Sequence, residues 1–276
     1  MDILERRLKQ IISDQNQTNS IGLLYSGGLD STIIAQVLLS QIPLSSLNIV
    51  CVGFRGSHDM ENASFGAKKL GFELNRHFLT LDLIKDAIIE LRMLNIIDNP
   101  VHLAIAIPLF LGMQFLKRRF QTRNIFLGQG ADELFGGYKR YSLMYDANKI
   151  EDISIAMEND LKSLLDGQIS MEKGLADYFG VNLIYPYLDP EIIEYARSYP
   201  IRSHIISTKH GEITRKVLLR GLAKKLGLPD SIVTQQKKAI QYGSGTVKAL
   251  RKIAKNQGYA NFREWFDFWF IKAKTF

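Results

Sequence analysis

Cysteine is almost absent: Cys51 is the only one in 276 residues. A single thiol excludes an internal disulfide and a cysteine cluster of the kind that holds zinc or an iron–sulfur centre. Inside the apolar run Ile49-Val50-Cys51-Val52 it reads as a core residue of a protein from a reducing cytoplasm. An export signal is lacking too, because Met1 to Gln10 carry charges of both signs at helical spacing and no apolar stretch. Long hydrophobic runs are missing as well. Leu103 to Phe115 is interrupted by Pro108, Gly112 and Gln114 and falls short of the roughly 20 residues that span a bilayer, so no membrane partner is expected. The 35 Lys and Arg against 28 Asp and Glu give a formal charge of +7. They are scattered in small clusters, Lys117-Arg118-Arg119, Lys224-Lys225 and Lys237-Lys238, without a basic stripe interleaved with aromatics, and a nucleic-acid partner is not expected. The five histidines, His58, His77, His102, His204 and His210, show no metal-ligand spacing and read as structural or surface residues.

What is present is an alternation. Residues 1–16 read as an amphipathic helix, because Ile3, Leu4, Leu8, Ile11 and Ile12 recur at three- and four-residue spacing. Ser20 to Tyr25 reads as a buried strand that runs into Gly27-Gly28 and a helix ending near Ser40. The pattern continues with a strand over 48–54, a helix over 59–70 stopped by Gly71, a strand over 75–80 and a helix over 82–94. Asn99-Pro100 reads as an N-cap with proline at the first helical position, opening a helix to about Phe120, and Asn124 to Gly128 closes the series as a strand. Such alternation predicts an α/β fold: a mostly parallel, doubly wound sheet with helices on both faces. After about Tyr145 strand signals stop, so a catalytic domain over 1–145 is expected to be followed by a mainly helical region over 146–276. Phe262, Trp265, Phe266, Trp269 and Phe270 form an aromatic stripe at helical spacing, to be placed in the core or in a subunit interface such as a homodimer's.

Two loops carry chemistry. At Ser26-Gly27-Gly28-Leu29-Asp30-Ser31 a strand passes through two glycines into a helix, which gathers backbone N–H groups and the positive end of a helix dipole at one point suited to phosphate. Ser26 and Ser31 add hydroxyl donors. Asp30 is out of place at an anion site unless a divalent cation bridges it to phosphate oxygens, which implies magnesium. The loop has neither the Gly-x-x-x-x-Gly-Lys-Ser/Thr of kinase P-loops nor the Gly-x-Gly-x-x-Gly of dinucleotide folds. It resembles the Ser-Gly-Gly-x-Asp-Ser signature of the ATP pyrophosphatase superfamily. The second loop, Gly128-Gln129-Gly130-Ala131-Asp132-Glu133-Leu134-Phe135-Gly136-Gly137-Tyr138, resembles the pyrophosphate-side loop of the asparagine synthetase C-terminal domain at every position except Gln129. The resemblance extends in order through Val52-Gly53 and Gly56-Ser57-His58-Asp59, Gly180-Val181 with Pro186-Tyr187-Leu188-Asp189, and Gln236-Lys237-Lys238 with Gly243-Ser244-Gly245.

That resemblance implies an adenine nucleotide alpha hydrolase-like fold, with ATP and Mg2+ as cofactors. Ser26, Gly27, Gly28, Asp30 and Ser31 would hold the pyrophosphate of ATP, together with the flanking Tyr25 and Leu29. Leu24, Val52, Gly53, Gly128, Gln129 and Gly130 would line the nucleotide side. Asp30 and Asp132 would hold magnesium, and Lys237 would approach the α-phosphate. Asp189 would support the site from the helical half, although preceding Pro190 it also reads as a helix N-cap. The expected activity is adenylation of a small-molecule carboxylate, with release of pyrophosphate, then amide formation with ammonia or an amine. The family's glutaminase domain is expected to be missing, so nitrogen would come free or from a separate amidotransferase subunit.

Three departures touch the acceptor half. The family's glutamate at acid–base chemistry is Gln129, which cannot exchange a proton near neutral pH. Val101-His102-Leu103-Ala104 stands where the family has hydroxyl residues and an arginine, and Ile184 replaces another arginine. Aspartate as substrate is thereby in doubt while ATP is not. The alternatives are a different amidation, an RNA-modifying ATP pyrophosphatase, and a non-catalytic ATP-binding partner subunit.

Overall fold

The computed structural model describes residues 2–15, 20–207, 212–235 and 239–271. The first half alternates as read from the sequence: α1 (Asp2–Ser13), β1 (Ile21–Leu24), α2 (Leu29–Gln41), β2 (Leu47–Gly53), α3 (His58–Leu70), β3 (Asn75–Phe78), α4 (Leu81–Leu94), α5 (Pro100–Phe120) and β4 (Asn124–Phe126). There follow α6 (Ala131–Leu134), α7 (Lys139–Asp146), α8 (Ile150–Ser163), a π turn over Leu164–Gln168, α9 (Ile169–Phe179), β5 (Asn182–Ile184), α10 (Pro190–Arg197) and α11 (Ile201–His204). The chain continues with β6 (Ile205–Ser207), β7 (Ile213–Arg215), α12 (Val217–Lys225), α13 (Asp230–Val233), α14 (Ile240–Gly243), α15 (Thr246–Asn256) and α16 (Phe262–Phe266).

The helix ends have local causes. The Asn99 side chain accepts from the His102 N–H at 2.8 Å ahead of Pro100, the cap read from the sequence. Thr80 Oγ1 accepts from Leu83 N–H to open α4, and Gly71, in the left-handed region at φ 73°, ends α3.

Strand order is β3-β2-β1-β4-β5, every pair parallel, with Ile21 opposite both Leu47 and Asn124. Alternate residues serve opposite faces. Ile21, Leu23, Ile49, Cys51 and Phe126 join α1, α2, α3 and α12 in one core; Val50, Val52, Ile125 and Leu127 join α4, α5, α9, α15 and α16 in the other. A parallel sheet covered on both faces needs strands that are apolar on both sides. α5 is long and apolar enough to cross a membrane by composition, but two-thirds of its most apolar stretch is buried against the sheet and neighbouring helices. Trp265, Phe266 and Phe270 are buried in the second core, so this part of the aromatic stripe is core within the chain itself.

One expectation is corrected. Strands do not stop after residue 145: β5 pairs with β4 and completes the main sheet, and β6 and β7 form an antiparallel hairpin. The sheet thus draws on both sides of the boundary expected there. Because β1 connects outward through β2 and β3 while β4 and β5 lie on its other side, the order reverses between β1 and β4. The crevice beyond the carboxyl ends of those two strands is where such sheets bind ligands, and both chemistry-bearing loops leave the sheet there.

Candidate active site

The first loop is held by its own hydrogen bonds. Tyr25 N–H donates to Val50 O at 2.8 Å before the chain leaves the sheet. Gly27 then takes φ 73°, and a Cβ there would stand 2.3 Å from backbone atoms of Asn62 and Ala63 in α3, so only glycine lets the turn lie so close to that helix. Thr32 Oγ1 and Ser31 Oγ donate to Gly28 O at 2.7 and 3.2 Å, while the Ser26 and Ser31 hydroxyls lie 3.2 Å apart. Gly28 caps α2 without a side-chain bond, which leaves the positive end of that helix open to an anion.

The second loop closes on the first. Gly130, at φ 91°, lies so close to Leu188 that a Cβ would meet its side chain at 2.4 Å. α6 then carries Asp132 and Glu133, both buried. Between the loops stands Lys216, itself buried, in the left-handed region at φ 56° just before α12. Its Nζ lies 2.6 Å from both carboxylate oxygens of Asp30 and 2.7 Å from Asp132 Oδ1. Burial draws the Lys216 ammonium below its usual range, and the Asp30 carboxylate opposes that loss. Glu133 is pushed up by burial and accepts the Tyr138 hydroxyl. Tyr187, fully buried, donates to Asp30 O at 3.0 Å.

These groups surround a cavity of about 300 Å³. Of the residues expected from the sequence, Leu24, Tyr25, Ser26, Gly28, Asp30, Ser31, Val52, Gly128, Gln129, Gly130 and Asp132 line it. Gly27, Leu29 and Gly53 do not: Gly27 packs on α3, Leu29 is buried in the first core, and Gly53 lies against Ser57 and Ser244. Lys237 lies outside the described residues; Ala239, Ile240 and Gln241, just beyond it, line the cavity.

Asp189 requires a correction. Its carboxylate is paired bidentately with Arg7 of α1 at 2.9 and 2.8 Å and caps α10 through Glu191 N–H, and it is not among the cavity residues. Arg7 holds it below the usual carboxylate range. Its segment supports the site through Tyr187 and Leu188 instead. The reading of all five histidines as structural or surface is also corrected at His58, which lines the cavity beside Asp59 and Asn62. Lys216, Glu133, Tyr138 and Gln168 were not anticipated. Lys216 carries no local signal, because a lysine following Arg215 at a helix start reads as a solvated charge.

The arrangement is a phosphate-ready helix terminus facing a cation held by two carboxylates, on the nucleotide side of a switch-point crevice. Comparison with known proteins agrees with it. A putative glutamine-hydrolysing asparagine synthetase of Methanocaldococcus jannaschii is 28% identical over 95% of this chain and 53% of its own length. A glutamine-hydrolysing asparagine synthetase of Brassica oleracea is 26% identical over 81% of this chain and 39% of its own. The chain thus spans about half the length, or less, of these relatives. Among solved structures, NMN synthetase from Francisella tularensis covers 99% of this chain and 93% of its own at 13% identity and a TM-score of 0.45, a likeness too low to bear on function. The profile described as Asparagine synthase matches residues 4–153 and 145–263, and the chain belongs to that family.

Proposed function

We propose that this protein adenylates a carboxylate with ATP, releases pyrophosphate, and passes the acyl group to ammonia or an amine. The observation that carries this reading is the convergence of Asp30 and Asp132, from two separate loops, on one cation at the mouth of an uncapped helix N-terminus. Lys216 shows that the two carboxylates can share a cation, which is the fit a magnesium ion requires. Among the described residues no third carboxylate, histidine or cysteine joins them. That suits magnesium, which takes one or two carboxylates and fills its other positions with phosphate oxygens and water. Bound there it would neutralise charge on the pyrophosphate. Ser26, Ser31 and the α2 terminus would hold the same phosphates, Lys216 would turn from carboxylate to phosphate, and Lys237 is assigned to the α-phosphate by resemblance.

In the second step the nitrogen lone pair attacks the acyl carbon, and the bond to the adenylate oxygen breaks with its electrons leaving on AMP. The surplus proton goes to water, since Gln129 cannot take it. Asparagine formation from aspartate is the first reaction to try. Nitrogen is assigned to free ammonia or to a separate amidotransferase subunit, and the compartment to the cytoplasm. Family membership favours amidation over RNA modification.

The test follows AMP, pyrophosphate and amide together, with magnesium and ammonium, across a panel of carboxylates. Pyrophosphate release that depends on one carboxylate supports the proposal and names the substrate. ATP binding without pyrophosphate across the whole panel would favour the non-catalytic partner, the reading that Gln129 and the apolar wall of Val101, Ile105 and Leu109 support.

A further inference from the structure

Position 129 is where this chain parts from the family's loop, and the structure gives the change a setting. Gln129 Nε2 donates to Glu172 Oε1 at 2.8 Å, and Gln168 Nε2 donates to the same oxygen at 2.7 Å. Glu172 is fully buried in α9, four residues beyond Gln168. Gln168 ends the π turn that joins α8 to α9, and such turns widen a helix locally and recur at functional sites.

The orientation of both amides follows from this. A carboxyl oxygen offers two lone pairs, and here both are taken by N–H donors. Flipping either glutamine would set its carbonyl oxygen against the carboxyl oxygen, so the network fixes which end faces Glu172. Burial raises Glu172 toward its neutral form, which leaves the result unchanged, because the carbonyl oxygen of a carboxylic acid also accepts. The other pole of each amide is its Oε1. Gln129 and Gln168 line the cavity and Glu172 does not. This end of an otherwise apolar wall, with Leu164 and Val101 beside it, therefore offers hydrogen-bond acceptors that carry no charge.

We propose that Glu172 is a positioning residue that turns the amide oxygens of Gln129 and Gln168 into the cavity, where they hold the N–H groups of the attacking nitrogen nucleophile, ammonia or a primary amine. The inference rests on the amide-forming reading above. Neutral acceptors bind the nucleophile through its N–H bonds and leave its lone pair available for attack.

Two substitutions separate positioning from proton transfer. Gln in E172Q keeps a carbonyl oxygen able to accept from both amides, whereas Met in E172M keeps the length and removes the acceptor. With ammonium or hydroxylamine as nucleophile, E172Q is expected to stay within roughly threefold of the parent KM for nitrogen, and E172M to raise it about tenfold, the scale of one lost hydrogen bond. Carboxylate-dependent ATP–pyrophosphate exchange, which needs no nitrogen, is expected to be unchanged in both. Equal losses in E172Q and E172M, an unaltered KM in E172M, or a parallel fall in exchange would each overturn the proposal. A second measurement needs neither turnover nor a variant at 172. The side-chain amide resonances of Gln129 and Gln168, assigned with Q129N and Q168N, are expected to move with ammonium chloride and stay still with sodium chloride. Stillness under both salts would overturn the site, whereas failure of the amide-forming reading would show separately, as no pyrophosphate from any carboxylate.

Discussion

The pyrophosphate end and the acceptor end of the cavity are built differently. At the first, glycine turns, a helix terminus and the Asp30–Lys216–Asp132 cluster are fixed by backbone geometry and short polar contacts. At the second, Val101, Ile105, Leu109 and Leu164 supply an apolar wall with Gln129 and Gln168 set into it. A triphosphate presents the same oxygens in every reaction, so its cradle tolerates little change. An acceptor pocket is shaped by side chains alone and follows its substrate.

The largest effect should come from the first end. D132N and D30N keep volume while removing charge, and each is expected to lower pyrophosphate release about 10²- to 10³-fold, the scale of losing one preorganised electrostatic partner. Stopped assays of pyrophosphate, with a thermal melt to confirm folding, check this; unimpaired release in both variants would break the comparison at its root. G27A should cost about 1–3 kcal/mol for the left-handed backbone, before any displacement of α3 is counted, and urea unfolding reads it. I105A belongs to the other end. It is expected to leave the KM for ATP unchanged and to raise the KM for the carboxylate roughly tenfold, the discrimination that a few methylenes in a pocket provide. A larger shift for ATP than for the carboxylate would show that the two ends are not separable.

The smallest effect lies outside the cavity. Arg7 and Asp189 join α1 to α10 and are partly exposed, so R7A should cost only about 1 kcal/mol at neutral pH. The sign follows from the depressed Asp189 pKa. Its stabilisation is present above the unfolded value of about 3.9 and disappears as pH falls through the lower folded value. The gap between parent and R7A should therefore be full at pH 7 and close in acid, which urea midpoints at the two pH values would show.

Much of the fold was legible because period and punctuation agreed. Asn99-Pro100, Gly71 and the Gly27-Gly28 turn mark their element boundaries through local chemistry that no tertiary contact has to supply. β5 was not legible: Asn182, Leu183 and Ile184 make a three-residue edge strand, too short to show a pattern. At the site, the cradle could be read since phosphate binding uses consecutive backbone atoms. Lys216 and Glu172 could not, because each matters only through what the fold brings to it from 186 and 43 residues away. Asp189 was ambiguous in sequence for the same reason, and Arg7, far off in the chain, settled it.

Lys216 also bears on how the chain reaches its native state. Two buried carboxylates facing each other would strongly resist the collapse that brings β1 and β4 together. Here the fold carries its own counter-ion on the segment before α12, so the nucleotide cradle can assemble without borrowing a cation from solution. The same tether makes the C-terminal half a participant in closing that cradle, and a chelator should then silence the enzyme without unfolding it.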